Sequence, residues 1–107
     1  MRPWLWEITE ELVWQNIPPR ARDSHKGTFG SVLAVAGSAF YRGAALLAAE
    51  GALRTGAGIV TLASVEPVVG AAVTRLPECC LCPCKEGAQC GIAPENVPLL
   101  RRQKATV

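Results

Sequence analysis

A glycine-serine turn and a glycine-led helix start carry the residue types that could bind a phosphate. Gly37 and Ser38 follow an apolar run, and Gly43-Ala44-Ala45 begins a stretch of strong helix formers. In open α/β sheets, ligands bind beyond the carboxyl ends of the strands, where free amides and the positive end of the next helix dipole suit a phosphate or pyrophosphate. The missing side chain at Gly43 would allow close approach. The alternative is that Gly43 and Ala44 only permit tight helix packing.

A histidine and a lysine precede the same apolar run and offer further polar groups. His25 and Lys26 stand directly before Gly27. The ammonium of Lys26 could pair with a phosphate as a point charge, and His25 could hydrogen-bond the same group. In the alternative, the two side chains are solvated surface of a loop.

Four of the five cysteines fall between Cys79 and Cys84, and the fifth is Cys90. In a strand, Cys80, Cys82 and Cys84 would share one face at about 7 Å spacing, too far apart to converge on one zinc ion at about 2.3 Å. We therefore predict structural strand cysteines, with a zinc or thiol module as the alternative. Clustered cysteines also favour a reducing compartment over a secreted disulfide framework.

Two common nucleotide fingerprints do not occur in the chain. There is no Gly-Lys-Ser or Gly-Lys-Thr of a Walker A loop, and Gly56-Ala57-Gly58 has no third glycine at the offset of a GxGxxG motif. Both patterns are needed to cradle phosphates in their respective folds. The sequence therefore argues against a standard dinucleotide Rossmann site.

Strands and helices are predicted to alternate around these groups. Strands are expected at 31–37, 59–65 and 79–84, because continuous apolar runs are typical of strands buried on both faces. Helices are expected at 43–55 and 66–76, and Glu50 and Arg54 should pair on an exposed side of the first. This order predicts an α/β fold with about three parallel strands and flanking helices. One face of the first helix carries very small side chains that could lie close to the sheet or a ligand: Ala44, Ala48, Gly51 and Ala52.

We expect one domain over residues 1–107, with an N-terminal arm at 1–22, a βαβαβ core at 23–84 and a weakly structured tail at 85–107. In the tail, Pro94 could begin a helix, but Pro98 is expected to interrupt it. Three parallel strands make a poor complete domain, because both sheet faces and at least one edge need cover. The domain is therefore predicted to be incomplete.

The arm is predicted to contain a short helix and to dock on the core. Thr9 offers a helix cap, with acidic residues in the turn that follows. Trp4, Trp6 and Trp14 are expected to hold the arm against the main body. An alternative is that one of these tryptophans lines an oligomer interface.

Composition excludes several classes of function. Half of the residues are apolar and the formal charge is only +2, with no basic stripe, so nucleic acid is not an expected partner. No window approaches the roughly 20 apolar residues of a membrane helix, and the N-terminus lacks a signal-peptide pattern. We expect no membrane partner and a cytoplasmic location.

Several of these segments together resemble a known enzyme family. The segments are Asp23-Ser24-His25-Lys26-Gly27-Thr28-Phe29-Gly30, Leu33-Ala34-Val35-Ala36-Gly37-Ser38, Gly43-Ala44-Ala45-Leu46-Leu47-Ala48 and Arg54-Thr55-Gly56-Ala57-Gly58. Their combination is similar to the ADP-dependent (S)-NAD(P)H-hydrate dehydratases, which belong to the ribokinase-like superfamily. The likeness is collinear from about Ile8 to Pro77. It implies a partial ribokinase-like, or Rossmann-like, three-layer fold.

The resemblance implies a lyase that repairs nicotinamide nucleotides. Members dehydrate the S epimer of hydrated NADH or NADPH, with ADP as phosphoryl donor, AMP and phosphate as products, and Mg²⁺ in assistance. By this likeness, Gly43, Ala44, Ala45 and Ser38 would contact the hydrated dinucleotide. His25, Lys26 and Gly27 would form a loop where the substrate enters. The full-length family is expected to be homo-oligomeric.

The chain also departs from the family. Members continue with a Gly-Pro-Gly-Leu-Gly loop and an Asn-x-Gly-x-x-Asp segment that carries the catalytic aspartate, and neither pattern occurs here. No Asp follows Asp23, so no catalytic residue is assigned and most of the ADP site is missing. We expect a truncated, N-terminal part of such a dehydratase that is inactive alone. The alternatives are part of another ribokinase-like small-molecule kinase and the cysteine-rich module.

Overall fold

The computed structural model describes residues 5–107. Along the chain the elements are α1 (Glu10–Asn16), β1 (Ser31–Val35), α2 (Gly43–Arg54), β2 (Ile59–Val65), α3 (Glu66–Arg75), β3 (Cys80–Cys84) and α4 (Val97–Arg101). Short 3₁₀ turns at Lys26–Phe29 and Pro94–Asn96 precede β1 and α4. The predicted βαβαβ order is confirmed.

The three strands form one parallel sheet in the order β1-β2-β3. Val32 lies opposite Val60 in the first pair of strands, and Leu62 lies opposite Leu81 in the second. The central strand β2 is the most deeply buried, as its nearly continuous apolar sequence predicts. The carboxyl ends of all three strands therefore meet at one end of the sheet.

Helices cover both faces of the sheet. Residues of α2 and α3, such as Ala45, Ala49 and Ala72, pack with Val60 and Leu62 on one face. On the other face, Leu99 and Leu100 of the C-terminal helix pack near the buried side chains of Ala63, Cys82 and Cys84. The layers are therefore helix, sheet and helix, as expected for a three-layer α/β fold.

The face of α2 that contacts the sheet differs from the predicted one. Ala45 and Ala49 are fully buried, whereas Ala44, Ala48 and Gly51 are exposed. The predicted sheet contact is therefore wrong for these three residues, whereas Ala52 does pack against the core. The alternative, contact with a ligand, stays a prediction. The helix carries alanines on adjacent positions, so its sequence gives little contrast between neighbouring faces. The exposed side does hold the predicted pair, in which Arg54 lies 3.1 Å from Glu50. Arg75 of α3 joins Glu50 at 3.0 Å and ties the two helices together.

The turn at Lys26–Phe29 lies directly against the start of β2. A Cβ atom built on Gly58 would stand 1.5 Å from the carbonyl oxygen of Lys26 and 3.1 Å from that of Gly30. The Gly58 amide donates to the Gly30 carbonyl at 3.1 Å. Only glycine allows the two backbone segments to approach this closely.

The N-terminal arm forms its predicted helix, but Trp6 and Trp14 do not dock it onto the core. The Thr9 hydroxyl accepts from the Leu12 amide at 3.2 Å, as a helix cap. Trp6 and Trp14 remain 81% and 66% exposed, so the predicted docking role is wrong for both. Trp4 lies outside the described residues.

The segment after Lys85 is more ordered than its sequence suggests. Pro98 occupies the first turn of α4, where a missing amide is tolerated, so it does not interrupt the helix. The buried Asn96 side chain bonds to both backbone groups of Lys85, at 2.9 and 2.8 Å. The prediction of a weakly structured tail is corrected accordingly.

Candidate functional site

Backbone segments bond to both sides of β1, an arrangement like the switch point of an open α/β sheet, and this marks a candidate ligand site. β2 and β3 lie on one side of β1, and the last residues of the chain lie on the other. There the Leu33 amide donates to the Val107 carbonyl at 2.8 Å, and the Val107 amide donates to the Ser31 carbonyl at 3.2 Å. In open α/β sheets the crevice beyond such a switch point holds the ligand. The loop at 36–42 lies at this end of β1.

The N-terminus of α2 follows this loop, and no side chain caps its first turn. Arg42 precedes the helix in αR conformation and makes no side-chain cap hydrogen bond. A Cβ atom built on Gly43 would meet nothing within 4 Å, and Ala44 is also exposed. Helix packing therefore does not account for the glycine at this position. The first-turn amides of Gly43 and Ala44 have no intrahelical acceptors and suit an anion. Ala45 is fully buried against the sheet, so its predicted contact with a ligand is wrong.

The turn before α2 is held in place from both sides. The Tyr41 amide donates to the Ser38 carbonyl at 3.3 Å and to the Ser38 hydroxyl at 3.2 Å. The Ala39 amide donates to the Cys90 carbonyl at 2.9 Å. Because the Ser38 oxygen accepts within the turn, its own O–H can still donate outward.

Gly37 is required by the backbone and by its neighbours. Its φ of +92° lies in the left-handed region that favours glycine. A Cβ atom there would stand 2.9 Å from the Ser64 Oγ and 3.1 Å from Ala45. Ser64 is fully buried, and its hydroxyl has no hydrogen-bond partner among the described residues. The left-handed φ of Gly37 and the unpaired hydroxyl of Ser64 both lie beside the α2 N-terminus. Neither was predicted from the sequence.

Arg42 is a further candidate that the sequence interpretation missed. Its Nε donates to the Ala39 carbonyl at 2.7 Å, which holds the guanidinium beside the helix start. A cation at a helix N-terminus is unfavourable unless an anion is also present. The sequence does contain a signal for Arg42. An arginine directly before a predicted helix start contradicts the usual preference for acidic residues at that position.

The other predicted polar residues lie at the opposite end of the sheet. His25, Lys26 and Gly27 precede β1, whose five residues span about 16 Å. The His25 Nδ1 accepts from the Gly27 amide at 3.1 Å and caps the 3₁₀ turn. The structure therefore does not bring these residues to the α2 N-terminus.

The cysteines lie where strand packing needs apolar side chains. Cys82 and Cys84 are buried on one sheet face, and Cys79 is buried on the other. Burial raises the pKa of the Cys79 and Cys84 thiols, so neither is prepared as a thiolate ligand. Within residues 5–107 there is no group of three His, Cys, Asp or Glu side chains that could hold a metal ion. The zinc-module alternative therefore has no support.

The described part of the chain has no helix that is long and apolar enough to cross a membrane.

A parallel sheet with helices packed on both faces defines the class as a three-layer α/β protein. Residues 32–107 match the family model described as NAD(P)H-hydrate dehydratase. The chain belongs to the NAD(P)H-hydrate dehydratase family. The family prediction made from the sequence is confirmed.

Curated relatives match about two thirds of this chain. The ADP-dependent (S)-NAD(P)H-hydrate dehydratase of Listeria monocytogenes is 44% identical over 73 residues, which are 68% of this chain and 26% of that protein. The Bacillus subtilis enzyme of the same name is 47% identical over 70 residues, or 65% of this chain and 25% of that protein. The chain thus spans about a quarter of the length of the curated relatives it matches.

A solved structure shows the same fold. The ADP/ATP-dependent NAD(P)H-hydrate dehydratase of Bacillus subtilis, co-crystallized with ATP and Mg²⁺, superposes with a TM-score of 0.64 at 45% identity. The match covers 68% of this chain and 26% of that one. The predicted partial ribokinase-like fold is confirmed, and the alternative of another small-molecule kinase has no support.

Proposed function

We propose that this chain is the N-terminal part of an ADP-dependent (S)-NAD(P)H-hydrate dehydratase and supplies part of its dinucleotide site. The observation that carries the proposal is the uncapped N-terminus of α2 at the switch point of the sheet, with Gly43 unpacked. Two free amides and a helix dipole favour one phosphate group of the hydrated dinucleotide. Gly43 and Ala44 would donate these amides.

The neighbouring side chains would complete the binding surface. Ser38 would donate its hydroxyl to the substrate, since its oxygen already accepts from the Tyr41 amide. Arg42 would place a second positive charge beside the positive end of the helix dipole. A bound phosphate would compensate both charges. The role of His25, Lys26 and Gly27 in substrate access stays a prediction, and their distance from α2 gives it no support.

The chain exposes more surface than a compact domain of its size. This supports the view that it is one part of the fold. Its accessible area is 8048 Å², against roughly 5,700 Å² for a compact monomer of this mass. Its radius of gyration is 16.3 Å, against about 13 Å for a compact chain of this length. The surplus surface is what the remaining three quarters of the relatives' length would cover.

The whole enzyme would transfer a phosphoryl group from ADP to the hydroxyl of the hydrate and then eliminate phosphate. Mg²⁺ does not fit the residues described here, because residues 5–107 offer no cluster of carboxylates to hold it. The contribution of this chain is therefore binding and orientation. We expect no dehydratase activity from the chain alone. Homo-oligomeric assembly and a cytoplasmic location stay predictions.

The test is binding of (S)-NADPH hydrate, with inorganic pyrophosphate as a second probe, measured by titration calorimetry. Gly43→Glu places a negative charge in the first turn of α2, which should leave the helix as stable or more stable. The same charge should repel the phosphate and weaken binding about tenfold, which corresponds to about 1.4 kcal/mol.

Gly70→Glu is the matched control, since Gly70 also lies in a helix with nothing within 4 Å of a built Cβ. This variant carries the same change in net charge but should bind like the wild type. Equal affinities of the two variants would contradict the proposed site, as would no binding of either probe to the wild-type chain at about 10 mM.

A further inference from the structure

A serine hydroxyl is buried beneath the turn that precedes α2. Ser64 is 0% exposed, and its Oγ has no hydrogen-bond partner among residues 5–107. An unpaired buried hydroxyl destabilises a folded protein, so such a group calls for an explanation. Because the described residues already cover Ser64 completely, another segment could not reach it without moving them. A partner for the hydroxyl is therefore to be sought among the groups that surround it.

Gly37 is the residue that faces this hydroxyl. A Cβ atom built on Gly37 would stand 2.9 Å from the Ser64 Oγ, and 3.1 Å from the side chains of Ala45 in α2 and Val68 in α3. The Gly37 carbonyl accepts no hydrogen bond within the described part of the chain. Glycine has the conformational freedom to turn this carbonyl. The structure therefore places an unpaired donor next to the residue that carries an unpaired acceptor.

The peptide group between Gly37 and Ser38 connects this acceptor with the candidate phosphate site. Its carbonyl belongs to Gly37 and its amide to Ser38, and the two point in opposite directions because the peptide bond is planar and trans. In the structure, the Ser38 amide donates to the Tyr41 carbonyl at 3.2 Å, inside the turn. Rotation of the peptide towards Ser64 would pair the Gly37 carbonyl and turn the Ser38 amide to the exposed side of the turn. The bonds that the Tyr41 amide donates do not involve this peptide and would remain.

We propose that Ser64 is a positioning residue: when a phosphate binds at the start of α2, the Gly37 carbonyl turns to accept from the Ser64 hydroxyl, and the Ser38 amide donates to the phosphate. The inference rests on the proposed function for the identity of the ligand. Without an anion, an outward amide would add positive charge beside Arg42 and the helix N-terminus, which favours the turn as it stands. With an anion, the amide exchanges a neutral hydrogen bond for a stronger, charge-assisted one. Ser64 pairs only in the second arrangement and so favours the bound state.

The test is a titration with inorganic pyrophosphate, in which the amide signals of the wild-type chain and of Ser64→Ala are followed by two-dimensional NMR. In the wild type, the Ser38 amide proton should move downfield, as expected for a hydrogen bond to a phosphate. Ser64→Ala should weaken pyrophosphate binding about fivefold, because the bound state loses one hydrogen bond. The same substitution should stabilise the free chain, because it removes an unpaired buried hydroxyl. A serine with a merely structural role would not change stability and affinity in opposite directions.

Ser31→Ala is the matched control, because the Ser31 hydroxyl lies at the other end of β1 and donates to the Lys104 carbonyl at 3.3 Å. This variant should be less stable than the wild type and should bind pyrophosphate equally well. Equal pyrophosphate affinities of Ser64→Ala and the wild type would overturn the inference. So would a Ser38 amide signal that stays in place in the wild type, whether or not the signals of Gly43 and Ala44 move.

The outcome for the proposed function is separate. If pyrophosphate moves the Ser38 amide signal as expected but (S)-NADPH hydrate does not bind, the result supports the role of Ser64 and contradicts the dehydratase proposal. If the hydrate binds equally well to the wild type and to Ser64→Ala, the result supports the dehydratase proposal and overturns the role of Ser64.

Discussion

Gly58→Ala should destabilise the protein more than an alanine at any other glycine outside the left-handed region of φ. The new Cβ would stand 1.5 Å from the Lys26 carbonyl oxygen, whereas an ordinary carbon–oxygen contact is about 3.3 Å. The turn at Lys26–Phe29 or the start of β2 would therefore have to move by roughly 1.8 Å. Such a shift also disturbs the two hydrogen bonds that Gly58 and Ile59 donate to the Gly30 carbonyl.

The loss of stability can be estimated from the backbone shift and from the weakened hydrogen bonds. Overpacking that displaces backbone costs about 1–3 kcal/mol, and each weakened backbone hydrogen bond costs about 1 kcal/mol. We expect Gly58→Ala to lower the free energy of unfolding by about 3 kcal/mol. With a urea dependence of about 1.5 kcal/mol per molar, the unfolding midpoint falls by about 2 M.

The assay is urea unfolding followed by far-UV circular dichroism, because Trp6 and Trp14 lie on the exposed arm and report poorly on the core. Gly51→Ala is the control, since Gly51 lies inside α2 with nothing within 4 Å of a built Cβ. It should raise the free energy of unfolding by about 0.8 kcal/mol through helix propensity. If both variants unfold at the wild-type midpoint or above it, the close contact at Gly58 is refuted.

Two further substitutions test the helix pair and the buried hydroxyl. Hydrogen bonds, chiefly from Arg75 and then from Arg54, hold the pKa of Glu50 below its ordinary value of 4.5. Its contribution to stability is therefore present above that value and lost as the pH falls through the lower folded pKa. Glu50→Gln should lower the melting temperature near neutral pH but not at about pH 2.5, and an equal loss at both would contradict the ion pair. Ser64→Ala removes a hydroxyl without a partner and should raise the free energy of unfolding by up to about 1 kcal/mol. Ser31→Ala, which removes a hydrogen bond to the backbone, should lower it, and a larger loss at Ser64 than at Ser31 would refute the unpaired state.

Elements with strong local signals could be predicted from the sequence. The central strand begins and ends at the predicted residues, 59 and 65, because its apolar run is flanked by glycine and by a proline-containing helix start. The start of α2 at Gly43 also agrees with the prediction. These boundaries depend on neighbours within a few residues, which a sequence shows directly.

Features that depend on distant parts of the chain could not be predicted. Arg75 reaches Glu50 across 25 positions, and the pairing of Val107 with β1 joins residues more than 70 apart. The wrong face of α2 has a different cause. Ala44 and Ala45 are followed four positions later by Ala48 and Ala49, so a rotation of one residue changes which side is buried without changing the pattern.

The position of the candidate site explains why binding and chemistry are expected to be separable. A switch-point crevice has one wall formed by the loop and helix after one strand, and another formed by the loop after the strand on the opposite side. The loop with Gly37 and Ser38 and the start of α2 are residues of the first kind of wall. Under the proposed function, this wall would hold a phosphate by its amides, whereas enclosing a dinucleotide and excluding water from it would need the second wall. We therefore expect this part to bind and the whole enzyme to react.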